Sequence, residues 1–464
     1  MKKSVIVLIS VLSLMQPAFA DFKEHFDLGQ QYLSNYQYSG AVTEFKNALR
    51  INYLDNSARI GLINSYLARG AYYANNEKNW QKAADDYRSA LFYMMYYPNA
   101  NQVKSSAQGI TPVTNNLNRC LSVLKFNTSP QSRYDTAKQL RAEGNFAAAA
   151  FEFNQSLGDK SLIKDSYEQV GDIMRLLGND PKAAEYYRKA ISVSPTDVPL
   201  RLTYAKLLDK LEQEEAAVEE YNYILTKSID NKDVLYSLER IYKKKLEESP
   251  SDSDLTSNLG AILQKQGKLD EALAYYKKAE QLDPSNINTR INVGTLYQQK
   301  EDYKTAVIAY DSVLILYPDN LNANIYKAQC LAALGNVKEA QAAYKKVLAL
   351  DPSNTEAQNG IFESAKKSMP VAQFIDYVKK NANGEDLSGM LYSYALDLHK
   401  QNKLDDAIKL YNELLKTDTT GEVYINLAIA QSQKENFDSA INTLNTAKAK
   451  FPNNSQIAAT MTSI

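Results

Sequence analysis

The sequence contains very few of the side chains from which most active sites are built. Its 464 residues include two histidines, His25 and His399, which stand near opposite ends of the chain. A histidine-rich metal site and a two-histidine helix motif are therefore excluded. Glycine-rich phosphate loops, in either the Walker or the dinucleotide-binding spacing, are also missing. We predict a protein that is not an enzyme and that has no cofactor or metal.

An excess of charge of one sign is missing too. The chain has 53 Lys and Arg against 54 Asp and Glu, which gives a net charge of −1. A nearly neutral chain has no general attraction to nucleic acid or to an acidic membrane surface. After residue 20, no stretch approaches the roughly 20 apolar residues that span a bilayer. We expect no nucleic-acid partner and no stable membrane insertion of the mature chain.

Residues 1–20 contain, in the usual order, the three parts of a bacterial secretory signal peptide. Lys2 and Lys3 provide a positive start, Val5 to Met15 an apolar centre, and Ala18 to Ala20 a small-x-small cleavage signal. Cleavage before Asp21 would release a periplasmic protein or, as the second choice, a secreted one. Retention as an uncleaved anchor stays open, although the apolar centre is shorter than a membrane span.

What the sequence does contain is a 34-residue unit, repeated three times between Ser253 and Asn354. Apolar residues in each copy follow helical spacing in two runs, which a polar break such as Gln266 to Lys268 separates. Each copy therefore predicts a helical hairpin. The matched positions are Gly260, Gly294 and Ala328; Leu263, Tyr297 and Leu331; Ala272, Ala306 and Ala340; Tyr276, Tyr310 and Tyr344; Ala279, Val313 and Val347; and Pro284, Pro318 and Pro352.

Each matched position has a physical reason. Small residues on the two helices allow close approach of the backbones, and the tyrosines fill the space between helices and units. The prolines stop the second helix, and the Ser, Asp or Asn residues after them can cap the next first helix. One hairpin cannot bury its own apolar face, so the hairpins must stack.

This pattern resembles the tetratricopeptide repeat, a 34-residue helix-turn-helix unit with small, aromatic and proline residues at fixed offsets. The resemblance implies an all-α fold, a right-handed superhelical solenoid of stacked repeats. It also implies a non-enzymatic scaffold whose groove binds a protein or peptide partner.

The rest of the mature chain divides by the regularity of the repeats. We predict N-terminal repeats with an insertion and a degenerate unit over 21–129, a middle array ending in a single long helix over 130–252, three regular repeats over 253–354, and C-terminal repeats with a degenerate unit and a closing helix over 355–464. Whether residues 99–129 and 355–387 are degenerate repeats or joints between subarrays stays open. The oligomeric state also stays open.

Aromatic and methionine side chains are concentrated between residues 72 and 97, a density typical of a contact surface. The candidate partner-binding residues here are Tyr72, Tyr73, Trp80, Tyr93, Tyr96 and Tyr97. Because rings also stack on sugars, a carbohydrate-binding accessory protein is the alternative function. A further alternative is that these rings only pack a hairpin that extra residues around 71–79 lengthen.

By the geometry that the resemblance implies, one side of the first helices lines the groove. The residues expected on that side are Ser257, Ala261, Gln264, Lys265, Ile291, Thr295, Gln298, Gln299, Ile325, Gln329 and Ala332. His399 would fall there in a later repeat, beside Lys400 and near Tyr392. The Asn and Lys clamp with which some relatives hold a terminal carboxylate is incomplete, because Ala261, Thr295 and Gln329 replace its second Asn.

The same side of the upstream repeats carries charges of both signs, which suit a protein segment better than a polyanion. These residues are Lys138, Arg141, Glu168, Asp172, Arg175, Lys206, Asp209 and Lys210. Cys120 and Cys330, the only thiols, are about six repeats apart and cannot meet within one straight array. We predict a protein-interaction scaffold of the bacterial envelope, in envelope biogenesis, secretion or polysaccharide export.

Overall fold

The protein is built from α-helices in a computed structural model that describes residues 20–97, 109–381 and 384–464. Within these residues every helix is an α-helix except for one short π-helical turn, and no β-strand occurs. Helical hairpins follow one another along the chain, so the predicted all-α solenoid of helix-turn-helix repeats is confirmed. The predicted signal peptide lies outside the described residues except for Ala20.

The chain forms two compact units, Met1–Ile241 and Tyr242–Ile464. In the first unit the helices are α1 (20–34), α2 (Tyr38–Ile51), α3 (Asn56–Tyr72), α4 (Trp80–Met95), α5 (Ile110–Val123), α6 (Pro130–Ala142), α7 (Phe146–Gln155), α8 (Ile163–Leu176), α9 (Asp180–Val193), α10 (Val198–Lys210) and α11 (Glu214–Lys227). The division between the units falls within α12 (Lys232–Glu248), the single long helix at the end of the middle array.

The second unit continues the hairpins to the end of the chain. Its helices are α13 (Ser253–Lys265), α14 (Leu269–Leu282), α15 (Ile287–Gln299), α16 (Tyr303–Leu316), α17 (Leu321–Ala333), α18 (Val337–Leu350), α19 (Thr355–Ser368), α20 (Val371–Asn381), α21 (Gly384–Lys400), α22 (Leu404–Leu414), α23 (Glu422–Gln433), α24 (Phe437–Lys450) and the closing helix α25 (Ser455–Ser463).

In two of the three regular hairpins an aromatic ring of the second helix packs against a glycine of the first. Tyr276 of α14 is fully buried, and a Cβ atom added to Gly260 of α13 would lie 2.8 Å from its ring. Tyr310 has the same relation to Gly294, at 2.4 Å. A ring can approach the backbone this closely only where the facing residue has no side chain, so these glycines set the spacing of the paired helices.

In other hairpins the ring at this position also contacts a glycine of the following hairpin. Phe45 of α2 lies between Gly29 of α1 and Gly61 of α3, where added Cβ atoms would lie 2.9 and 2.4 Å from the ring. Tyr344 of α18 lies against Gly360 of α19 in the same way, at 2.3 Å. One side chain, Phe45, therefore packs α2 against α1 and against α3 of the next hairpin, which joins neighbouring hairpins to each other.

Proline and a capping side chain fix where each new hairpin starts. After Pro284, the side chain of Asn286 accepts a hydrogen bond from the Thr289 amide at 3.1 Å and caps α15. Asn320 and Asn354, at the same distance after their prolines, cap α17 and α19 through side-chain oxygens. The capping predicted from sequence is confirmed, and each cap stabilises its helix by about 1 kcal/mol.

Helix packing predicts opposite effects for the same substitution at two glycines of the second unit. Gly294→Ala should lower the free energy of unfolding by about 1–3 kcal/mol, because its methyl group would overlap the Tyr310 ring. Gly389→Ala should raise it by roughly 0.5–1 kcal/mol, since a Cβ atom there meets nothing within 4 Å in an exposed helix. Urea unfolding followed by circular dichroism measures both, and equal shifts would contradict the role of Gly294.

Candidate functional site

Glutamine side chains connect successive first helices of the second unit through their amide groups. Gln264 of α13 donates from Nε2 to Oε1 of Gln299 on α15 at 3.2 Å. Gln298 of α15 donates to Oε1 of Gln329 on α17 at 3.1 Å. We name the set Gln264, Thr295, Gln298, Gln299 and Gln329 the amide row. The structure thus brings together, on three neighbouring helices, residues that the sequence analysis assigned to one surface.

Buried tyrosines donate hydrogen bonds to the amide row from the side of the core. The Tyr276 hydroxyl donates to Oε1 of Gln264 at 2.9 Å, and the Tyr310 hydroxyl donates to Oε1 of Gln298 at 3.1 Å. Burial raises the pKa of both phenols above its ordinary value, so both stay protonated donors at physiological pH. Each acceptor oxygen is therefore fixed in place, and each amide is left with its N–H groups directed along the row.

Some residues predicted for this face are not accessible. Ser257, Ile291 and Ile325 are buried, because their side chains pack between adjacent first helices instead of lining a surface. Lys265 is exposed at the end of α13, and Thr295 is half-buried beside Gln264. The accessible face is thus narrower than the predicted one, and it consists mainly of amide groups.

His399 repeats the same arrangement in a later hairpin. Its Nδ1 lies 3.2 Å from the Tyr411 hydroxyl, and its Nε2 lies 3.0 Å from Oε1 of Gln433. Tyr392, predicted as its neighbour, packs against the same Tyr411 ring, with centroids 6.4 Å apart, and accepts a hydrogen bond from Asn426 at 2.8 Å. His399 and Gln433 also line an open cleft of about 630 Å³. The imidazole therefore acts as a polar link of the same kind as Gln264.

Ion pairs replace the amides in the first unit. Arg141 of α6 pairs with Asp172 of α8 at 3.0 Å, and the Tyr187 hydroxyl donates to the same carboxylate at 2.6 Å. Lys206 of α10 pairs with Asp233 of α12 at 3.0 Å. Of the charges predicted for this face, Arg141 and Asp172 thus pair with each other, whereas Lys206 pairs with Asp233, which the sequence analysis did not select.

Two of the six predicted aromatic contact residues are buried. Tyr93 and Tyr97 have exposed fractions of only 2% and 3%, because Tyr93 stacks on Tyr66 of α3 at 6.3 Å and Tyr97 lies 4.7 Å from the Arg59 guanidinium of the same helix. Their assignment to a contact surface is therefore corrected, and for them the packing alternative holds. Tyr96 is half-buried and accepts a hydrogen bond from Gln155 at 2.8 Å. Trp80, also half-buried, carries the Arg119 guanidinium 5.5 Å above its ring.

Tyr72, the last residue of α3, and Tyr73, which follows it, lie instead beside two tyrosines that the sequence analysis did not select. Tyr36 and Tyr38, at the turn between α1 and α2, complete a group that we name the tyrosine cleft. Its volume is about 390 Å³. The sequence signal was weak, because Tyr36 stands in a polar turn some 35 residues from Tyr72 in the chain.

The sequence analysis also missed a buried ionic cluster in the first unit. The fully buried Glu152 carboxylate accepts from Arg88 Nε at 2.6 Å and from Arg133 Nη1 at 2.8 Å. Arg88, 1% exposed, also donates to Asp85 at 2.9 Å. The cluster joins α4, α6 and α7, so its charges hold together the region where the regular repeats are interrupted.

Further chemistry is sparse in the described part of the chain. Residues 20–97, 109–381 and 384–464 bring together no group of three or more His, Cys, Asp or Glu side chains that could hold a metal ion. Cys120 and Cys330 are buried free thiols, and burial raises the pKa of Cys330 to about 11. In the same part of the chain, no helix has both the length and the hydrophobicity needed to cross a bilayer.

Comparison with known proteins identifies tetratricopeptide repeats in this chain. Models of the repeat match residues 164–197, 254–286, 297–361 and 398–464. These ranges include His399 and the four glutamines of the amide row. No curated protein matches the sequence.

Several solved structures are similar to this chain. A tetratricopeptide repeat protein from Parabacteroides merdae is 21% identical over 52% of this chain and 97% of its own, with a TM-score of 0.33. The Cut9–Hcn1 hetero-tetramer of APC/C matches at 15% identity over 94% of this chain and 95% of its own, with a TM-score of 0.31. YrrB, a repeat protein with an unusual peptide-binding site, is 20% identical over 48% and 98%, with a TM-score of 0.26.

The ionic cluster predicts a strong effect for one neutralising substitution. Glu152→Gln should lower the free energy of unfolding by about 3–5 kcal/mol, since Arg88 and Arg133 would lose their shared buried counter-charge. Asp233→Asn, in an exposed pair with Lys206, should cost less than about 1 kcal/mol. Trp80, the only tryptophan, lies in the same unit, so its fluorescence during urea unfolding measures both. Similar losses for the two variants would contradict the role of the cluster.

Proposed function

We propose that this chain is a non-enzymatic protein-interaction scaffold of the bacterial envelope that binds an extended peptide segment of a protein partner along the amide row. The tetratricopeptide repeats support a scaffold role. The observation that carries the binding mode is the row itself, in which buried tyrosines fix surface amides at regular positions.

The amide row has hydrogen-bonding capacity left for a ligand. A glutamine side chain offers two N–H donors and an oxygen with two lone pairs. The Gln298 oxygen accepts from Tyr310, and one of its N–H groups serves Gln329, so one N–H group and one lone pair remain. These groups match the carbonyl and N–H groups of an extended peptide backbone. Binding of this kind depends on the path of the backbone more than on side-chain identity.

Affinity would come from many modest contacts on a surface that is already ordered. Fixing a long side chain on binding costs about 0.5–1.5 kcal/mol, and the hydrogen bonds from Tyr276 and Tyr310 have already met that cost for two glutamines. Lys265, exposed at one end of the row, can add an electrostatic contact to an acidic residue of the partner.

The proposed cellular localisation is based on the sequence of residues 1–20. A positive start, an apolar centre and a small-x-small cleavage signal support export, first to the periplasm and second to the medium. The resemblance to repeat scaffolds suggests envelope biogenesis, secretion or polysaccharide export as the setting.

Site-specific cross-linking in the native cell tests the binding surface. With a photoreactive amino acid in place of Gln299, on the amide row, we expect one or a few discrete adducts. The same replacement of Ile308, which is 68% exposed on α16 of the same hairpin, is the matched control and should give none. Mass spectrometry of the adduct then identifies the partner segment.

That segment, as a synthetic peptide, provides the decisive measurement. Calorimetry with the double variant Gln298→Ala and Gln329→Ala should show binding weakened about tenfold or more, since each lost hydrogen bond contributes about 1 kcal/mol. Unchanged affinity, or equal cross-linking from Gln299 and Ile308, would rule out the amide row as the binding surface.

Cell fractionation tests the proposed localisation without knowledge of the partner. We expect the mature protein, starting at Asp21, in the periplasm or the medium, because the predicted cleavage signal ends at Ala20. N-terminal sequencing of the recovered protein provides the readout. Full-length protein confined to the cytosol would refute export and leave the binding proposal intact.

A further inference from the structure

We propose that the tyrosine cleft binds a proline-rich segment in the polyproline II conformation. The cleft is formed by Tyr36, Tyr38, Tyr72 and Tyr73, and Gln37, Ser39, Gly40, Arg69 and Glu77 complete its lining. It belongs to the first unit and shares no residue with the amide row. The inference deepens the proposed function, because it supplies a second peptide site of defined ligand class.

The rings leave notches between them. The centroids of Tyr36 and Tyr38 are 6.4 Å apart with the rings at 89°, and those of Tyr38 and Tyr72 are 6.4 Å apart at 55°. Tyr72 and Tyr73 follow at 6.3 Å and 60°. Rings that stand at steep angles to one another form ridges with gaps, whereas a sugar is best received on one flat ring. Proline-binding grooves are lined by aromatic side chains of this kind.

The backbone conformation of Tyr36 supports a functional role for its ring. Tyr36 has φ +60° and is 79% exposed. At the corresponding turn of other hairpins this left-handed conformation is adopted by glycine, as at Gly144 and Gly267, or by a polar residue, as at Glu212 and Glu301. Among the described residues with positive φ, Tyr36 is the one aromatic residue. For a bulky side chain the same conformation is costly, and the exposed ring gains little from packing within the protein. Strain of this kind is concentrated at binding sites.

The opposite wall of the cleft is formed by an insertion. Helix α3 continues to Tyr72 and passes into a π-helical turn, Tyr73–Glu77, where regular repeats have a short turn. Such π-helical turns are frequent at functional sites. The inserted turn places Tyr72 against Tyr38, so the two walls face each other only because the hairpin is lengthened.

The polar lining suits a polyproline II backbone. This conformation has no internal hydrogen bonds, so its carbonyl oxygens need external donors. Hydroxyl and amide groups of the tyrosines, Ser39 and Gln37 are such donors. A preformed, stiff ligand also loses little entropy on binding, which suits a cleft as small as this one.

The charge of the lining favours a neutral or basic segment over an acidic one. The Arg69 guanidinium donates to both carboxylate oxygens of Asp86, at 2.9 and 2.7 Å, so its charge is balanced within the protein. It also donates to the Ser39 hydroxyl oxygen at 3.3 Å, which leaves the Ser39 proton for a ligand. Glu77 is exposed on the rim and can pair with a lysine or arginine next to the prolines.

Calorimetric titration with synthetic peptides tests the inference. The probe is a decaproline peptide with one lysine at each end, and the control peptide has glycine and serine in place of the prolines. The key variant is Tyr36→Gly, which removes the ring and relieves the backbone strain. Tyr72→Ala removes a ring that is 44% exposed, and Tyr317→Ala, at a residue 45% exposed in the second unit, is its matched control.

We expect the wild-type protein and Tyr317→Ala to bind the proline peptide equally, and Tyr36→Gly and Tyr72→Ala to bind it about tenfold or more weakly. The melting temperature of Tyr36→Gly should be unchanged or higher, so weaker binding could not be attributed to unfolding. Equal binding of the control peptide, equal binding by all variants, or no binding by the wild type would overturn the proposal.

Competition by a neutral oligosaccharide that binds more tightly than the peptide would also overturn it, in favour of a sugar site. The variant with alanine at Gln298 and Gln329 separates the two proposals, since it retains the cleft. If the protein does not bind the proline peptide but still forms the cross-link at Gln299, the cleft proposal alone would be rejected. The reverse result would reject the amide row alone.

Discussion

The contact between an aromatic ring and a bare stretch of helix backbone is the constraint on which both units depend. Tyr276 against Gly260 fixes the distance between two helices of one hairpin, and Tyr344 against Gly360 fixes the distance to the next hairpin. The contact recurs in separate hairpins, so a packing defect in one hairpin is not compensated by a single core shared by all of them. Local precision at each glycine is what keeps successive first helices in register.

The same rings also determine the surface. A tyrosine that enters between helices brings its hydroxyl group out near the residue twelve positions earlier in the chain, as Tyr276 does with Gln264 and Tyr411 with His399. The position of each polar link therefore follows from the packing of the core. In the first unit, Tyr187 and Asp172 have a related contact, although there the link is an ion pair. The repeat thus supplies an ordered polar face, whose chemistry changes from one hairpin to the next.

Features that depend on a few neighbouring residues could be predicted from the sequence. The hairpins, the stops at Pro284 and Pro318, and the caps at Asn286 and Asn320 are of this kind, because their causes are local. The burial of Tyr93 could not be predicted, since it results from stacking on Tyr66 of α3 in the hairpin where the period is broken. Pairing of Glu152 with Arg88 joins residues 64 positions apart, and no periodic pattern indicates such a contact.

Phe45 and Phe153 occupy the same buried position as Tyr276 and are equally inaccessible. The two ring types fill nearly the same space and differ by one oxygen atom, which in Tyr276 reaches Gln264 of the amide row. Exchange between them during evolution would add or remove a polar link while leaving the scaffold's spacing unchanged. Such a repeat can diversify its polar face from within, through residues that lie buried in the core.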